Sequence, residues 1–128
     1  MDKTLNISGI DVKFRATART PRLYRAIIGR DLIRDMNQLR KGYQKAVDIR
    51  DKEDATEEEI RDAQLSVVDL EMFENIAYVM ARHANPEITE PVDEWLDSFD
   101  MFSIWQVLPE LLNLWALNEK TTSTPKKK

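Results

Sequence analysis

Apolar and polar residues alternate at the start of the chain and then recur every three or four positions. Leu5, Ile7, Val12, Phe14 and Ala16 alternate with polar residues on either side of Ser8-Gly9, the pattern of two strands joined by a short turn. This predicts a β-hairpin over residues 4–17, turning at Ser8-Gly9 or across Ser8 to Asp11. Two strands alone are marginal in water, so the hairpin must pack on helices or pair with another copy.

The helical period begins at Thr20-Pro21, with Thr20 as N-cap and Pro21 at the first helical position. Leu23, Tyr24, Ile27 and Ile28 supply the apolar face. Gly29 is a stop, and Asp31 can cap a second helix through Leu32, Ile33, Met36 and Leu39 that runs past Tyr43 to Val47. From Asp48 to Glu59 the chain is charged and nearly free of apolar residues. That stretch reads as an exposed linker or a solvated extension of the helix.

Thr56 to Ala84 reads as one long helix around which the rest is organised. Thr56 and Glu59 form a capping box, and Glu57, Glu58 and Glu59 favour the positive end of the helix dipole. Asn85 before Pro86 is the stop. Ile60, Ala63, Val67 and Leu70 form one apolar stripe; Leu65, Val68, Met72, Ile76 and Val79 add a second, and Phe73, Ala77, Met80 and Ala81 widen it. Only a line through Glu71, Asn75, Tyr78 and Arg82 stays polar. A helix apolar nearly all round is surrounded by protein, so its C-terminal half is the expected core element. Asp69, Glu71, Glu74 and Arg82 argue against a membrane span.

After Pro86, Thr89 or Glu90 can cap a short helix with Pro91 in its first turn and Val92, Trp95, Leu96 and Phe99 as its apolar residues. Asp100 or Ser103 opens a last helix carrying Phe102, Ile104, Trp105, Val107, Leu108, Leu111, Leu112, Leu114, Trp115 and Leu117. Pro109 inside this pattern predicts a kink or two shorter helices. The expected fold class is mainly α: a small helical domain (20–118) with an N-terminal β-hairpin, forming a single domain over 1–118. The polar, basic segment 119–128 is expected to be a disordered tail.

Composition sharpens this picture in a few places. A chain of 128 residues makes one domain with a modest core. There is no cysteine, which excludes disulfides and thiolate metal sites. Met1-Asp2-Lys3-Thr4 lacks the apolar run of a signal peptide, so a cytoplasmic location is expected. The three glycines stand far apart and make no phosphate-cradling loop. The net charge of −4 hides a strong polarity: residues 1–47 hold 11 Lys/Arg and 4 Asp/Glu, residues 48–119 hold 4 and 19, and residues 120–128 hold 4 and none. A basic front and an acidic back attract each other within or between chains, or else form two differently solvated faces.

Candidate chemistry is sparse. His83 is the sole histidine, so no imidazole pair exists for a transition metal. Asp93, Glu94 and Asp97 share one helix and read as a solvated face, and serine nucleophile motifs are absent. An enzyme is not expected, nor is a cofactor. Arg22, Arg25, Arg30 and Arg34 recur at near-helical spacing and are candidates for self-association with the acidic half. Together with Arg19 they are also the raw material for phosphate contacts, although no nucleic-acid-binding motif accompanies them and the rest of the chain repels nucleic acid. Trp95, Phe99, Phe102, Trp105, Leu111 and Trp115 crowd the C-terminal third. Core packing accounts for most of this, but the last two helices carry more large apolar residues than a small helical domain readily covers, and exposed aromatic clusters mark interaction sites.

Three stretches carry a family resemblance. They are Ile7-Ser8-Gly9-Ile10 with Phe14-Arg15-Ala16-Thr17; Thr20-Pro21-Arg22-Leu23-Tyr24-Arg25 followed by Gly29-Arg30-Asp31-Leu32; and Phe73-Glu74-Asn75-Ile76-Ala77-Tyr78 with Val92-Asp93-Glu94-Trp95-Leu96 and Leu111-Leu112-Asn113-Leu114-Trp115. In these, over nearly its full length, the chain resembles the tail assembly chaperones of long-tailed (siphovirus-type) bacteriophages of Gram-positive hosts. The resemblance implies a small, mostly helical, non-enzymatic protein of the host cytoplasm. It implies association with the tape measure protein and tail tube subunits and absence from the finished virion. It also implies a longer frameshifted form, for which the codons of Lys126-Lys127-Lys128 are a candidate slippery run; a solubilising basic tail is the simpler reading. Two rivals stand beside it: a small nucleic-acid-binding regulator using the basic front, and a structural tail or head-completion subunit. A homo-oligomer with head-to-tail contacts is expected from the charge polarity.

Overall fold

The computed structural model describes residues 1–54, 56–62 and 67–122, with no side chain described at 60–68 or 119–122. The chain begins with strands β1 (Asp2–Ile7) and β2 (Ile10–Arg15), paired antiparallel in unbroken register from Asp2↔Arg15 to Ile7↔Ile10. Ser8 and Gly9 form the turn with φ of 53° and 82°. Two positive φ angles give the turn the twist that matches right-twisted strands. Glycine adopts this backbone freely, but serine does not. Ser8 is held from outside the hairpin: its Oγ donates to the Met101 carbonyl and accepts from the Met101 N–H, both at 2.8 Å. The hairpin tip is thereby tied to the segment just before the last helix.

Helix α1 (Thr20–Ile28) departs from the expected start. Its N-cap position is Arg19, which makes no side-chain cap, and Thr20 is already helical. The Thr20 hydroxyl is buried and accepts from the Thr17 N–H at 2.8 Å, while Thr17 Oγ1 accepts from the Arg19 N–H at 3.1 Å. These two bonds fold the corner between strand and helix. Gly29 ends α1 in the left-handed conformation at φ 83°, its N–H donating to the carbonyls of Arg25 and Tyr24. Asp31 then caps α2 (Leu32–Arg50) by accepting from the Ile33 and Arg34 N–H groups. This helix runs to Arg50, past the expected Val47.

The Thr56–Glu59 capping box forms as expected: each side chain accepts from the other residue's N–H at 3.1 Å. It opens α3 (Glu57–Asp62), and α4 follows as Val67–Ala84. Whether the two make one long helix lies outside the described residues, as do the side chains of Ile60, Ala63, Leu65, Val67 and Val68. Met72, Phe73, Ile76, Ala77, Tyr78, Val79, Met80 and Ala81 are all buried. The C-terminal half of α4 is therefore the core element; β2, α1, α2, α5 and α6 all pack on it. Leu70 is only half-buried. Tyr78, expected on the polar line, is buried at 2% exposure, with its hydroxyl donating to the Glu90 carbonyl.

Helix α5 (Val92–Asp97) is capped by Pro91, in place of the expected Thr89 or Glu90, and makes no side-chain cap. Helix α6 (Ile104–Thr122) is a single helix that runs through Pro109, so the two-helix alternative is not adopted. Its first-turn N–H groups at Gln106 and Val107 donate to the Ser103 carbonyl. The helix continues to Thr122, beyond the expected boundary at 118, and residues 123–128 of the expected tail lie outside the described set. The fold is mainly helical with an N-terminal antiparallel hairpin, as the hydropathy pattern predicts.

Candidate docking surface

The six aromatic and leucine residues singled out as partner-binding part company in the structure. Trp95, Leu111 and Trp115 are buried, and Phe99 and Phe102 are half-buried against the core. Trp95 is the hub of a ring cluster, with centroids 5.1 Å from Phe99, 5.5 Å from Phe102 and 5.7 Å from Tyr78; Phe102 also meets Phe73 at 5.2 Å. The edge-to-face arrangements suit the ring quadrupoles. This cluster fastens α5 and the α5–α6 connection to α4, and these rings serve as core.

Trp105 alone of the six stays open, at 37% exposure. The N-terminal turn of α6 presents it towards α2. Tyr43 lies against it, centroid to centroid 5.4 Å, and the Arg50 guanidinium sits 4.9 Å from the ring centre. The cation holds one face of the indole, leaving a rigid amphipathic ring at the surface. Met101, just before α6, is 73% exposed.

The candidate self-association arginines also divide. Arg22, Arg25 and Arg34 are exposed, and none has an ion pair among the described residues. Arg30 is committed within its own chain. Its Nε and Nη2 donate to Asp35 at 2.7 and 2.8 Å, and the Tyr24 hydroxyl donates to the same carboxylate at 2.7 Å. Asp35 is 1% exposed. Burial pushes its carboxyl up, but hydrogen bonds from Arg30 and Tyr24 and the charges of Arg30 and Arg34 outweigh burial and hold it below the usual carboxylate range. Burial and the adjacent Asp35 push the Tyr24 phenol well up. The triad locks the α1–α2 corner. Sequence reasoning missed it, although Asp35 stands among Leu32, Met36 and Leu39 at core spacing, which is the signal of a partnered buried carboxylate.

Two further features border the core. An open groove of about 420 Å³ lies between α4 and α5, with Leu70, Val92 and Leu96 as its apolar wall and Glu71, Glu74 and Asp93 as its charges. Burial, then the charges of Glu71 and Asp93, raise the Glu74 carboxyl above the ordinary value. His83, near the end of α4, has its Nε2 2.8 Å from Thr17 Oγ1. Burial, with Arg15 and Arg19 nearby, lowers its basicity. This contact joins the end of β2 to α4.

Among the described residues no His, Asp or Glu cluster is arranged to hold a metal ion, and no helix is long and apolar enough to cross a membrane. Comparison of the chain with protein-family models, curated proteins and solved structures found no match.

Proposed function

We propose that this chain is a stoichiometric binding protein of phage tail assembly, a chaperone that holds the tape measure protein soluble and yields it to tail tube subunits. The observation that carries the reading is the open Trp105, braced by Tyr43 and Arg50. A large ring with little rotamer freedom left, kept at the surface while Trp95 and Trp115 are buried, is the usual anchor of a protein–protein contact. The resemblance supports it as well: its three stretches fall on the hairpin, the α1–α2 corner and the helices α4, α5 and α6. On this reading the protein binds apolar helical segments and performs no chemistry. It works in the host cytoplasm, leaves before the virion is complete, and can be accompanied by a longer frameshifted form. The exposed Arg22, Arg25 and Arg34 would attract acidic partners, including further copies, and are what a nucleic-acid-binding reading would rest on.

The test is co-expression with a long helical tape measure protein, followed by affinity capture at several salt concentrations. Co-purification in stoichiometric amounts, reduced about tenfold or more by Trp105→Ala, is the expected result. A tape measure protein that stays insoluble and uncaptured, or salt-dependent DNA binding in its place, would overturn the proposal.

A further inference from the structure

Among the described residues one edge of β1 is unpaired, and the hydrogen-bond pattern identifies its residues. The Met1 amino group donates to the Ala16 carbonyl at 2.8 Å, and the Ala16 N–H donates to the Met1 carbonyl at 2.9 Å. Bonded pairs alternate along an antiparallel ladder. Lys3–Phe14, Leu5–Val12 and Ile7–Ile10 are therefore the bonded pairs, and the N–H and C=O groups of Asp2, Thr4 and Asn6 point away from β2. Among the described residues no backbone hydrogen bond joins these three to another element. All three are exposed. Beside the edge runs an open groove of about 460 Å³ between β1 and α6, lined by Met1, Lys3, Glu110, Leu114 and Leu117 among others. Met1 and Leu117 are 48% and 50% exposed.

We propose that β1 pairs antiparallel with β1 of a second copy, about a two-fold axis at Thr4, joining two hairpins into one four-stranded sheet. The strand is its own complement in this register. Thr4 meets Thr4, Asp2 meets Asn6, Lys3 meets Leu5 and Met1 meets Ile7, so no like charges face each other. The outward groups of Asp2, Thr4 and Asn6 all find partners. The other edge is unsuited: it presents Asp11, Lys13 and Arg15, and pairing about Lys13 sets Lys13 against itself.

Edges are commonly blunted by proline, bulges or free charges. β1 has no proline, and its six positions pair without a bulge. Its two charges are already engaged within the chain, Asp2 with Arg15 at 2.9 Å and Lys3 with Glu110 at 3.6 Å. The same symmetry places the half-exposed Met1 of each copy, with Leu117 beside it in the groove, at one end of the seam. A six-residue strand is only about 20 Å long. The contact thus falls short of the ~800 Å² per partner of a standard interface and gives a weak, concentration-dependent dimer. This inference is independent of the proposed function.

Sedimentation velocity over a range of protein and salt concentrations tests it, with amide hydrogen exchange as a second readout. A monomer–dimer equilibrium that survives high salt is expected. The Thr4 N–H makes no bond to β2, so Thr4→Pro removes two bonds from the dimer and none from the hairpin, weakening association about tenfold or more. Leu117→Lys, outside the core, weakens it too and serves if the proline variant misfolds. In the parent, the Thr4 and Asn6 amides exchange more slowly as concentration rises, while the outward amide of Lys13 on the other edge does not change. A monomer at the highest concentration would overturn the proposal. So would an oligomer that dissolves in salt and ignores both variants, which would place association on the charged faces.

Discussion

Replacing Ile76 by alanine tests whether the second half of α4 is the core of this fold. Ile76 has 0% exposure and sits mid-helix, in the stretch where strand and helices pack on α4. The substitution deletes three carbons. At ~0.8 kcal/mol per buried carbon, transfer alone costs about 2.4 kcal/mol. The cavity adds ~24 cal/mol per Å³ wherever the walls fail to close. Collapse is resisted here because the helix is hemmed in by β2, α1 and α2 as well as α5 and α6, which places the total near 3–4 kcal/mol. That is a large share of the ~5–15 kcal/mol that stabilises a domain of this size. Urea unfolding followed by far-ultraviolet circular dichroism measures it, and the midpoint is expected to fall by roughly 1.5–2 M at unchanged slope. Ile33→Ala, at a position 49% exposed on α2, is the control and is expected to stay within about 0.5 kcal/mol. An Ile76→Ala loss as small as the control's would refute the reasoning, because α4 would then be peripheral.

Asp35 titrates below its unfolded value near 3.8, so its stabilising contribution is complete above that pH and is lost as the pH falls further. Thermal melts of the parent therefore show an acid-induced drop that is smaller in Asp35→Asn, where Asp2 and Glu59, also held below their ordinary values, supply the remainder. Glu74 shifts the other way, above 4.5: its contribution is present below that pH and lost as the pH rises, so the ionised group is a cost at neutrality. Glu74→Gln is expected to raise Tm at pH 7 and to change it little near pH 4. Trp105 is open whereas Trp95 and Trp115 are each 4% exposed; acrylamide should quench one component of the fluorescence, and Trp105→Phe should remove it without altering the melt.

The sequence by itself determined the elements wherever local chemistry decides the backbone. Alternation around Ser8-Gly9 specified two strands, and Gly29 with Asp31 specified the break and fresh start between α1 and α2. Thr56 with Glu59 specified the capping box, and the all-round apolar run after Leu70 specified the helix at the centre. Each depends on residues within a turn or two of one another, so the pattern is legible without the fold. What only the tertiary structure decided are the contacts between distant residues. Ser8 holds its positive φ with help from Met101. Tyr78 reads as polar until its hydroxyl finds Glu90, and Arg30 reads as one of a surface array until it meets the buried Asp35. Trp95, Trp105 and Trp115 are indistinguishable by composition. Burial is set by what packs across from each ring, which is a property of the assembled helices rather than of the spacing along any one of them.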